Sequence, residues 1–444
     1  MAIDSDAAAR AAFIPQKGVS PFMVAGAHGN YLISADGRRI LDGGGGAIVV
    51  NIGHGREEVA EVAAQGLREV TYAIPPFATE ARIRLVERLT SNWLPRGLTR
   101  VGFTSWDSES VDAAIRLARS HHVAAGRTAR WKVIGREQSY HGTTLATLAV
   151  GGHVNRRKGM EPLLLDFPKA PSHYCLKCQL GRHDDGCVDR AAQGLEDVIL
   201  REGPDTVAAF IAEPVVGGAA GAVVPPDGYW ATVREICSKY GVLLIADEVM
   251  TGFGRTGRKF AVDHWDVTPD IITGGKGLAG GYAPMGGIYA TDAVVAPMID
   301  AGMDMMFYTF SGHHASCAVA DKVLEIMERE DLVARAAKMG DLLRERLARL
   351  ESHPNVAEVR GLGLLQAVEL VRDKDTLERF PASDRFVNKV SGIGLQKGVF
   401  FYPAGSGEAQ DIVLLGPPFT ITEDEIDMLG SVLEESIDLA AAGC

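Results

Sequence analysis

The sequence predicts an α/β protein whose large domain is built around a mostly parallel β-sheet, with a smaller α+β domain assembled from the two ends of the chain. The first observation is length, because 444 residues are too many for one ordinary domain. The second is alternation, since short runs rich in Val and Ile alternate with helical patterns through the middle of the chain. The third is a change of pattern in the last third, where long helices precede separate strands.

Five short apolar runs predict the buried strands. Gly, Pro or charged residues bound each of them, and the runs are WKVIG (131–135), VAAFIAE (207–213), VLLIADE (242–248), DIITGGK (270–276) and GGIYA (286–290). Helical patterns over 108–126, 189–203 and 228–241 lie between several of them. Fully apolar strands that alternate with helices indicate a sheet covered on both faces.

The two ends of the chain predict the smaller domain. After about residue 312 the pattern gives a long helix to 350 with a break at 330–331, a strand over 363–370, a helix over 383–397, a strand over 411–415 and a last helix after Thr420. Near the start, NYLISADGRRILD predicts a hairpin that turns at Ala35, Asp36 and Gly37. We expect residues 1–65 to pack with residues 321–444, and residues 66–320 to form the large domain.

Composition narrows the class of protein. Hydrophobic residues make up 46% and charged residues 23% of the chain, which is typical of a soluble globular protein. The net charge of −12 argues against nucleic acid or an anionic membrane as the main partner. The first residues lack the apolar core of a signal peptide, and no run approaches the ~18 apolar residues of a membrane span. A cytoplasmic location is therefore expected.

One cysteine-rich stretch has two interpretations. Cys175, Cys178 and Cys187 lie near His173 and His183, and a Cys-x-x-Cys pair with a third cysteine can bind zinc. The stretch has no second Cys-x-x-Cys pair, so the alternative is ordinary reduced thiols in a loop. We expect no metal centre.

Two charged residues end predicted strands. Asp247 ends the apolar run 242–248, and Lys276 follows the run 270–274 among glycines. Ligands of open α/β sheets bind outside the carboxyl ends of the strands, and a lysine there becomes a nucleophile when burial lowers its pKa. A phosphate-binding P-loop is excluded, because Gly277 follows the lysine where Ser or Thr is needed. Alternatively, Asp247 is a helix cap or part of a buried ion pair.

Tyr140 and His141 follow the first apolar strand run, in SYHG. An aromatic side chain at that place can stack on a planar ring. By itself the tyrosine is more simply a core residue, so the interpretation depends on the other motifs.

Together these motifs resemble the class III aminotransferases, which are pyridoxal-phosphate (PLP) enzymes of fold type I. The order SYHG, AEPVVG, DEVMTGFGRTG, GGKGLAGGYAPMGG and YTFSGHH carries the resemblance, which extends from LDGGGGAIVVNIGHG to GPPFTITEDEID. Within that family the sequence is most similar to the ω-amino acid and amine:pyruvate transaminases. The resemblance implies a transaminase that moves an amino group from a primary amine or ω-amino acid to a keto acid such as pyruvate, by a ping-pong mechanism.

The resemblance also implies roles for individual residues. Lys276 would be the Schiff-base lysine, and Asp247 would pair with the pyridine nitrogen. Tyr140 and Val249 would contact the ring, and Glu213 would help to order Asp247. His141 and Asp107 are also expected at the cofactor, and Ser108 would hold its phosphate. The family forms homodimers with active sites at the interface, and Thr309 would reach the cofactor of the neighbouring subunit.

Two departures from the family pattern stand out. The phosphate loop contains Trp106 and Asp107 where small residues are usual, and a carboxylate beside a phosphate is repulsive. We expect Asp107 to point away and cap the following helix, and Trp106 to narrow the pocket or the interface. Tyr402 replaces an arginine that many relatives use to hold a carboxylate; alternatively Arg255 or another arginine has that role. The expected walls of the substrate pocket are Ile48, Tyr72, Phe77 and Tyr402.

The fold alone does not fix the reaction. A racemase or epimerase, an aminomutase or a decarboxylase on the same scaffold would share Lys276, Asp247 and Tyr140. These reactions are the alternatives to transamination.

Overall fold

The computed structural model describes residues 22–174 and 187–443, with side chains from residue 191 onward in the second range. Within these ranges the chain forms three sheets. Their strands are β1 (Val24–His28), β2 (Tyr31–Ser34), β3 (Arg39–Asp42), β4 (Leu98–Thr104), β5 (Lys132–Arg136), β6 (Lys169–Ala170), β7 (Val207–Ala212), β8 (Leu243–Asp247), β9 (Ile271–Gly274), β10 (Gly286–Thr291), β11 (Val356–Leu362), β12 (Leu365–Leu370), β13 (Val399–Phe400), β14 (Tyr402–Ser406) and β15 (Ala409–Leu415).

The central sheet has seven strands in the order β4-β10-β9-β8-β7-β5-β6. Strands β9, β8, β7, β5 and β6 run parallel, and β10 is antiparallel to both of its neighbours. Strands β7, β8 and β9 are buried at every position, as expected for a sheet with helices on both faces. The predicted α/β class and mostly parallel sheet are therefore confirmed.

The sequence prediction omitted the edge strand β4 of this sheet. Strand β4 was not predicted, because its middle residues Thr99 and Arg100 are exposed and interrupt the apolar pattern. The five predicted strands all form, each within two residues of the predicted bounds.

Helices cover the central sheet and build the rest of the molecule. The Asp107–Ala124 helix packs against β9 and β10 and begins at the edge of the sheet where the site lies. The other helices of the described ranges are Glu57–Glu69, Glu80–Arg88, Leu145–Val150, Val154–Arg157, Cys187–Glu202, Tyr229–Tyr240, Asp292–Asp300, His314–Arg329, Leu332–Ala348, Phe386–Gln396 and Glu423–Ala442, with a short distorted turn at Gly45–Ile48.

The two ends of the chain meet in one sheet. Strands β1, β2 and β3 form an antiparallel meander, and β13 pairs with β3 in parallel, with Val399 opposite Leu41. Asn30 reinforces this contact, since its side chain donates to Glu425 Oε2 at 2.7 Å. The division at residues 65 and 320 stays a prediction.

A buried ion-pair network joins the third sheet, β11-β12-β15-β14, to a loop of the large domain. Arg360 on β11 bonds Glu369 on β12 at 2.6 Å and donates to the Gly221 carbonyl, also at 2.6 Å. Arg360 is only 5% exposed, so breaking this pair would leave an uncompensated buried charge. The network fixes the loop that follows Glu213.

No helix in the described part of the chain is long and apolar enough to cross a membrane. Likewise, the described residues contain no cluster of His, Cys, Asp or Glu arranged to hold a metal ion. The zinc hypothesis for Cys175, Cys178 and Cys187 concerns side chains outside the described residues.

Candidate active site

A cavity of about 890 Å³ opens at the carboxyl ends of β7, β8 and β9. This is the edge of a parallel sheet at which ligands are expected. Of the residues predicted for the site, the cavity lining includes Asp107, Ser108, Tyr140, His141, Glu213, Asp247, Val249, Lys276 and Tyr402. The fold therefore brings residues that are far apart in the sequence, from Asp107 to Tyr402, into the lining of one cavity.

Asp247 is held rigidly at the end of β8. Its Oδ2 lies 2.6 Å from Nδ1 of His141. Its Oδ1 accepts hydrogen bonds from the Thr273 hydroxyl and from the Val249 N–H, both at 3.1 Å. Because Asp247 and His141 are both buried, the carboxylate has a fixed orientation toward the cavity.

Lys276 comes directly after β9 in a strained backbone conformation. Its φ is +39°, in the left-handed region that costs a non-glycine residue of order 1 kcal/mol or more and is concentrated at functional sites. The ammonium donates to the Ala47 carbonyl at 2.8 Å. Burial lowers the pKa of Lys276, while the nearby carboxylates Asp107 and Asp247 act in the opposite direction.

Asp107 points into the cavity, contrary to the expectation that it points away. The Asp107–Ala124 helix has Trp106 at its N-cap without a side-chain cap bond, so Asp107 is the first helical residue. Its Oδ1 accepts from the Lys276 backbone N–H at 3.3 Å. Burial raises the pKa of the Asp107 carboxyl, and the charge of Lys276 opposes this rise. The contact explains the glycine before Lys276, because a Cβ at Gly275 would lie 1.9 Å from Asp107 Oδ1.

Trp106 does not narrow the cavity of the protomer. Its side chain is 60% exposed and is not part of the cavity lining. Ser108, two residues on, lines the cavity and accepts from the Thr143 N–H at 3.1 Å.

Tyr140 and Glu213 are joined through the backbone. The Tyr140 N–H donates to Glu213 Oε2 at 3.2 Å, and the Gly217 N–H donates to Oε1 at 3.1 Å. Burial raises the pKa of Glu213, an effect that His141 opposes. Glu213 does not bond Asp247 directly; the residue bonded to Asp247 is His141.

Four predicted site residues, Tyr72, Phe77, Thr309 and Ile48, are not part of the cavity lining. Tyr72 and Phe77 are 46% and 66% exposed, and the Tyr72 hydroxyl donates to the Thr309 carbonyl at 3.1 Å. Tyr72 and Thr309 therefore belong to one surface region, and Phe77 is exposed on the surface as well. Ile48 is buried behind the cavity wall, and its neighbours Ala47 and Val49 line the cavity instead.

Arg255 does not fill the place of the missing arginine. It is fully buried and donates to the carbonyls of Leu364 and Pro417 and to the side chain of Asn51. Burial lowers its pKa to about 9. These contacts tie the segment after β8 to the C-terminal part of the chain and leave Arg255 no access to a substrate.

Two arginines that sequence reasoning missed lie at the cavity. Arg156 places its guanidinium 4.9 Å from the centre of the Tyr140 ring, and Arg385 lies in the lining beside Asn388. Both residues are exposed. Neither follows a strand or belongs to a glycine-rich motif, so the sequence offered no local signal for them.

A lysine and a carboxylate at neighbouring strand ends, with an aromatic side chain in the same cavity, are groups that a PLP enzyme requires. The chain belongs to the class III aminotransferases: the family model "Aminotransferase class-III" matches residues 13–437.

Similar proteins agree with this assignment. A putrescine–pyruvate aminotransferase of Pseudomonas aeruginosa is 35% identical over 432 residues, with 94% of this chain and 90% of that protein covered. An (S)-enantioselective omega-transaminase of Thermomicrobium roseum has a solved structure that matches with a TM-score of 0.90 at 38% identity, covering 95% of this chain and 93% of that one. The omega-transaminase of Pseudomonas jessenii, solved in complex with PMP, matches with a TM-score of 0.90 at 31% identity, covering 96% and 94%.

The residues of the cavity fit the PLP of this family. The buried Asp247 carboxylate suits a protonated ring nitrogen. His141 Nε2 is buried without a hydrogen-bond partner among the described residues, which is the kind of atom that a bound group satisfies. At the other end, the start of the Asp107–Ala124 helix and the Ser108 hydroxyl suit a phosphate.

Proposed function

We propose that this protein is a transaminase that takes the amino group of a primary amine or ω-amino acid and gives it to a keto acid such as pyruvate. The observation that carries the proposal is the placement of Lys276, with its lowered pKa, in one cavity with the fixed carboxylate of Asp247. The putrescine–pyruvate activity of a relative supports the choice of donor and acceptor.

When PLP is bound, it supplies an electron sink for charge at the donor carbon. Asp247 would hold the ring nitrogen, with His141 fixing the carboxylate from behind. Tyr140 and Val249 would contact the ring, and Ser108 would hold the phosphate. Each of these side chains already lines the cavity.

Lys276 would carry the proton at the reacting carbon. Burial lowers its pKa, which favours the neutral amine that accepts a proton, and the same group returns that proton as an acid. In the described structure the amine is held by the Ala47 carbonyl, which keeps it at the cavity wall formed by the N-terminal segment.

The cavity mouth supports a substrate with a carboxylate at a distance from its amine. Tyr402 lines the cavity where many relatives carry arginine, so that position offers an aromatic wall. Arg156 and Arg385 supply positive charge at the exposed side, and guanidinium groups bind carboxylates well. The distal carboxylate of an ω-amino acid would bind there.

We further propose a homodimer with active sites at the interface. The surface around Thr309 is apolar and exposed, with Phe310 at 57% and Met306 at 82%. Exposed apolar patches of this kind mark protein–protein contacts. Tyr72 belongs to the same surface, and Tyr72 and the exposed Phe77 would then line the site of the neighbouring subunit.

A half-reaction tests the reaction type. Holoenzyme mixed with a diamine or an ω-amino acid, without a keto acid, should lose its visible absorbance in proportion to the enzyme, and pyruvate should restore it with formation of alanine. The Lys276→Ala variant should do neither. A racemase or decarboxylase would keep its absorbance under the same conditions, and that result would contradict the proposal.

A further inference from the structure

The N-terminus of the Asp107–Ala124 helix can bind an anion such as a phosphate, but the Asp107 carboxylate already lies at this end of the helix. The first backbone N–H of this helix with a helical partner is that of Ser110, which donates to the Trp106 carbonyl. The N–H groups before it are free to bind an anion, as is usual at a helix start. The Asp107 carboxylate lies at this helix end and lines the same cavity.

The contacts of Asp107 keep its carboxylate there. Its Oδ1 accepts from the Lys276 N–H at 3.3 Å. The space that this oxygen occupies is open only because residue 275 is glycine. The carboxylate is therefore seated between the helix start and the backbone of the reactive lysine.

The charged groups around Asp107 compensate its negative charge only in part. Lys276 attracts it from the segment after β9, and Asp247 repels it from the end of β8. Tyr140, from the segment after β5, also senses its charge. Farther from Asp107, Asp247 is hydrogen-bonded to His141, and the buried Glu213 interacts electrostatically with both residues.

We propose that Asp107 weakens the hold of this protein on the phosphate of PLP, and does so more strongly as the pH rises. The inference rests on the phosphate position at Ser108 proposed above. Two anions at one helix end repel each other when both are ionised. Burial raises the pKa of Asp107, so the repulsion grows as the pH rises and the carboxyl loses its proton.

The test is a titration of the apoprotein with PLP at pH 6 and pH 8, followed by absorbance. Asp107→Asn keeps the size of the side chain and its acceptor for the Lys276 N–H but removes the charge. It should bind PLP about 10-fold more tightly than the unchanged protein at pH 8, and the ratio should be smaller at pH 6. Asp107→Gly provides a second variant if the asparagine destabilises the fold.

Two controls isolate the phosphate. Pyridoxal, which lacks the phosphate, reports the effect of Asp107 on Lys276 alone, so Asp107→Asn should change its affinity much less than the affinity for PLP at pH 8. Asp112→Asn removes a carboxylate from the same helix that is not part of the cavity lining, and it should leave the affinity for PLP unchanged.

The outcomes separate this inference from its premise. Ser108→Ala should weaken the binding of PLP but not of pyridoxal; if it does not, the phosphate position is wrong. If it does, and Asp107→Asn binds PLP no more tightly at pH 8, or gains equally for pyridoxal, the role of Asp107 is overturned.

Discussion

The two ends of the cavity are built differently. At the Asp247 end, both carboxylate oxygens have close partners on His141, Thr273 and the backbone. At the Asp107 end, the carboxylate has one backbone donor at 3.3 Å. The Asp247 end is therefore preorganised to bind a cation, whereas the Asp107 end carries a negative charge that would repel the phosphate expected there.

The largest effect is expected at the preorganised end. Asp247→Asn should lower kcat on the order of 10²- to 10³-fold, because a fixed charge at the reacting group is lost. Steady-state kinetics with saturating PLP would measure it. Asp270→Asn is a matched control, since Asp270 accepts from the Leu244 N–H and pairs with Arg234 before β9 begins; its kcat should stay within about twofold. Equal losses in both variants would show that Asp247 acts only through stability.

A smaller effect is expected from the residue behind Asp247. His141→Gln should lower kcat about 10-fold, since a hydrogen bond to a charged group contributes about 1.5 kcal/mol or more. His122→Gln removes another buried histidine, which contacts the Ala208 carbonyl away from the cavity, and should not change kcat. An unaltered kcat in His141→Gln would show that the hydrogen bond from His141 to Asp247 does not contribute to catalysis.

The smallest effect on catalysis is expected from Glu248→Gln, a change at the residue that follows Asp247. The Glu248 carboxylate is buried and accepts from the Ala261 and Val262 N–H groups, at 3.0 and 2.8 Å. Burial raises its pKa to about 7. A carboxyl whose folded-state pKa is raised stabilises the fold below its ordinary pKa and loses that contribution as the pH rises through the folded value.

Urea unfolding between pH 4.5 and pH 7.5 would measure this loss. The free energy of unfolding of the unchanged protein should fall with pH by about 3 kcal/mol relative to that of Glu248→Gln, while kcat changes little. Parallel stability curves for the two proteins would contradict a raised pKa at Glu248.

The parts of the site that could be predicted from sequence are those at strand ends. Asp247 and Lys276 follow fully apolar runs, and neighbouring parallel strands bring such positions to one edge of the sheet. Tyr140 follows a third strand of the same sheet. Periodicity and flanking glycines placed these residues near one edge of the sheet, and the family resemblance supplied their expected roles.

The rest of the cavity lies on segments without such a pattern. Arg156 belongs to the four-residue helix Val154–Arg157, and Arg385 precedes a helix in a left-handed conformation with φ +48°. Neither feature has a periodic signal. The orientation of Asp107 was wrong for a related reason, because the Lys276 backbone that holds it is distant in sequence and contributes no side-chain pattern.

The pairing of β3 with β13 has a consequence for biosynthesis. Strand β3 leaves the ribosome early, but the strand that completes its sheet emerges only after most of the chain has been made. Contacts of such large sequence separation form slowly, so the hairpin before residue 42 must wait with one edge unpaired. We expect a chain released before residue 400 to keep this edge unpaired and to aggregate through it.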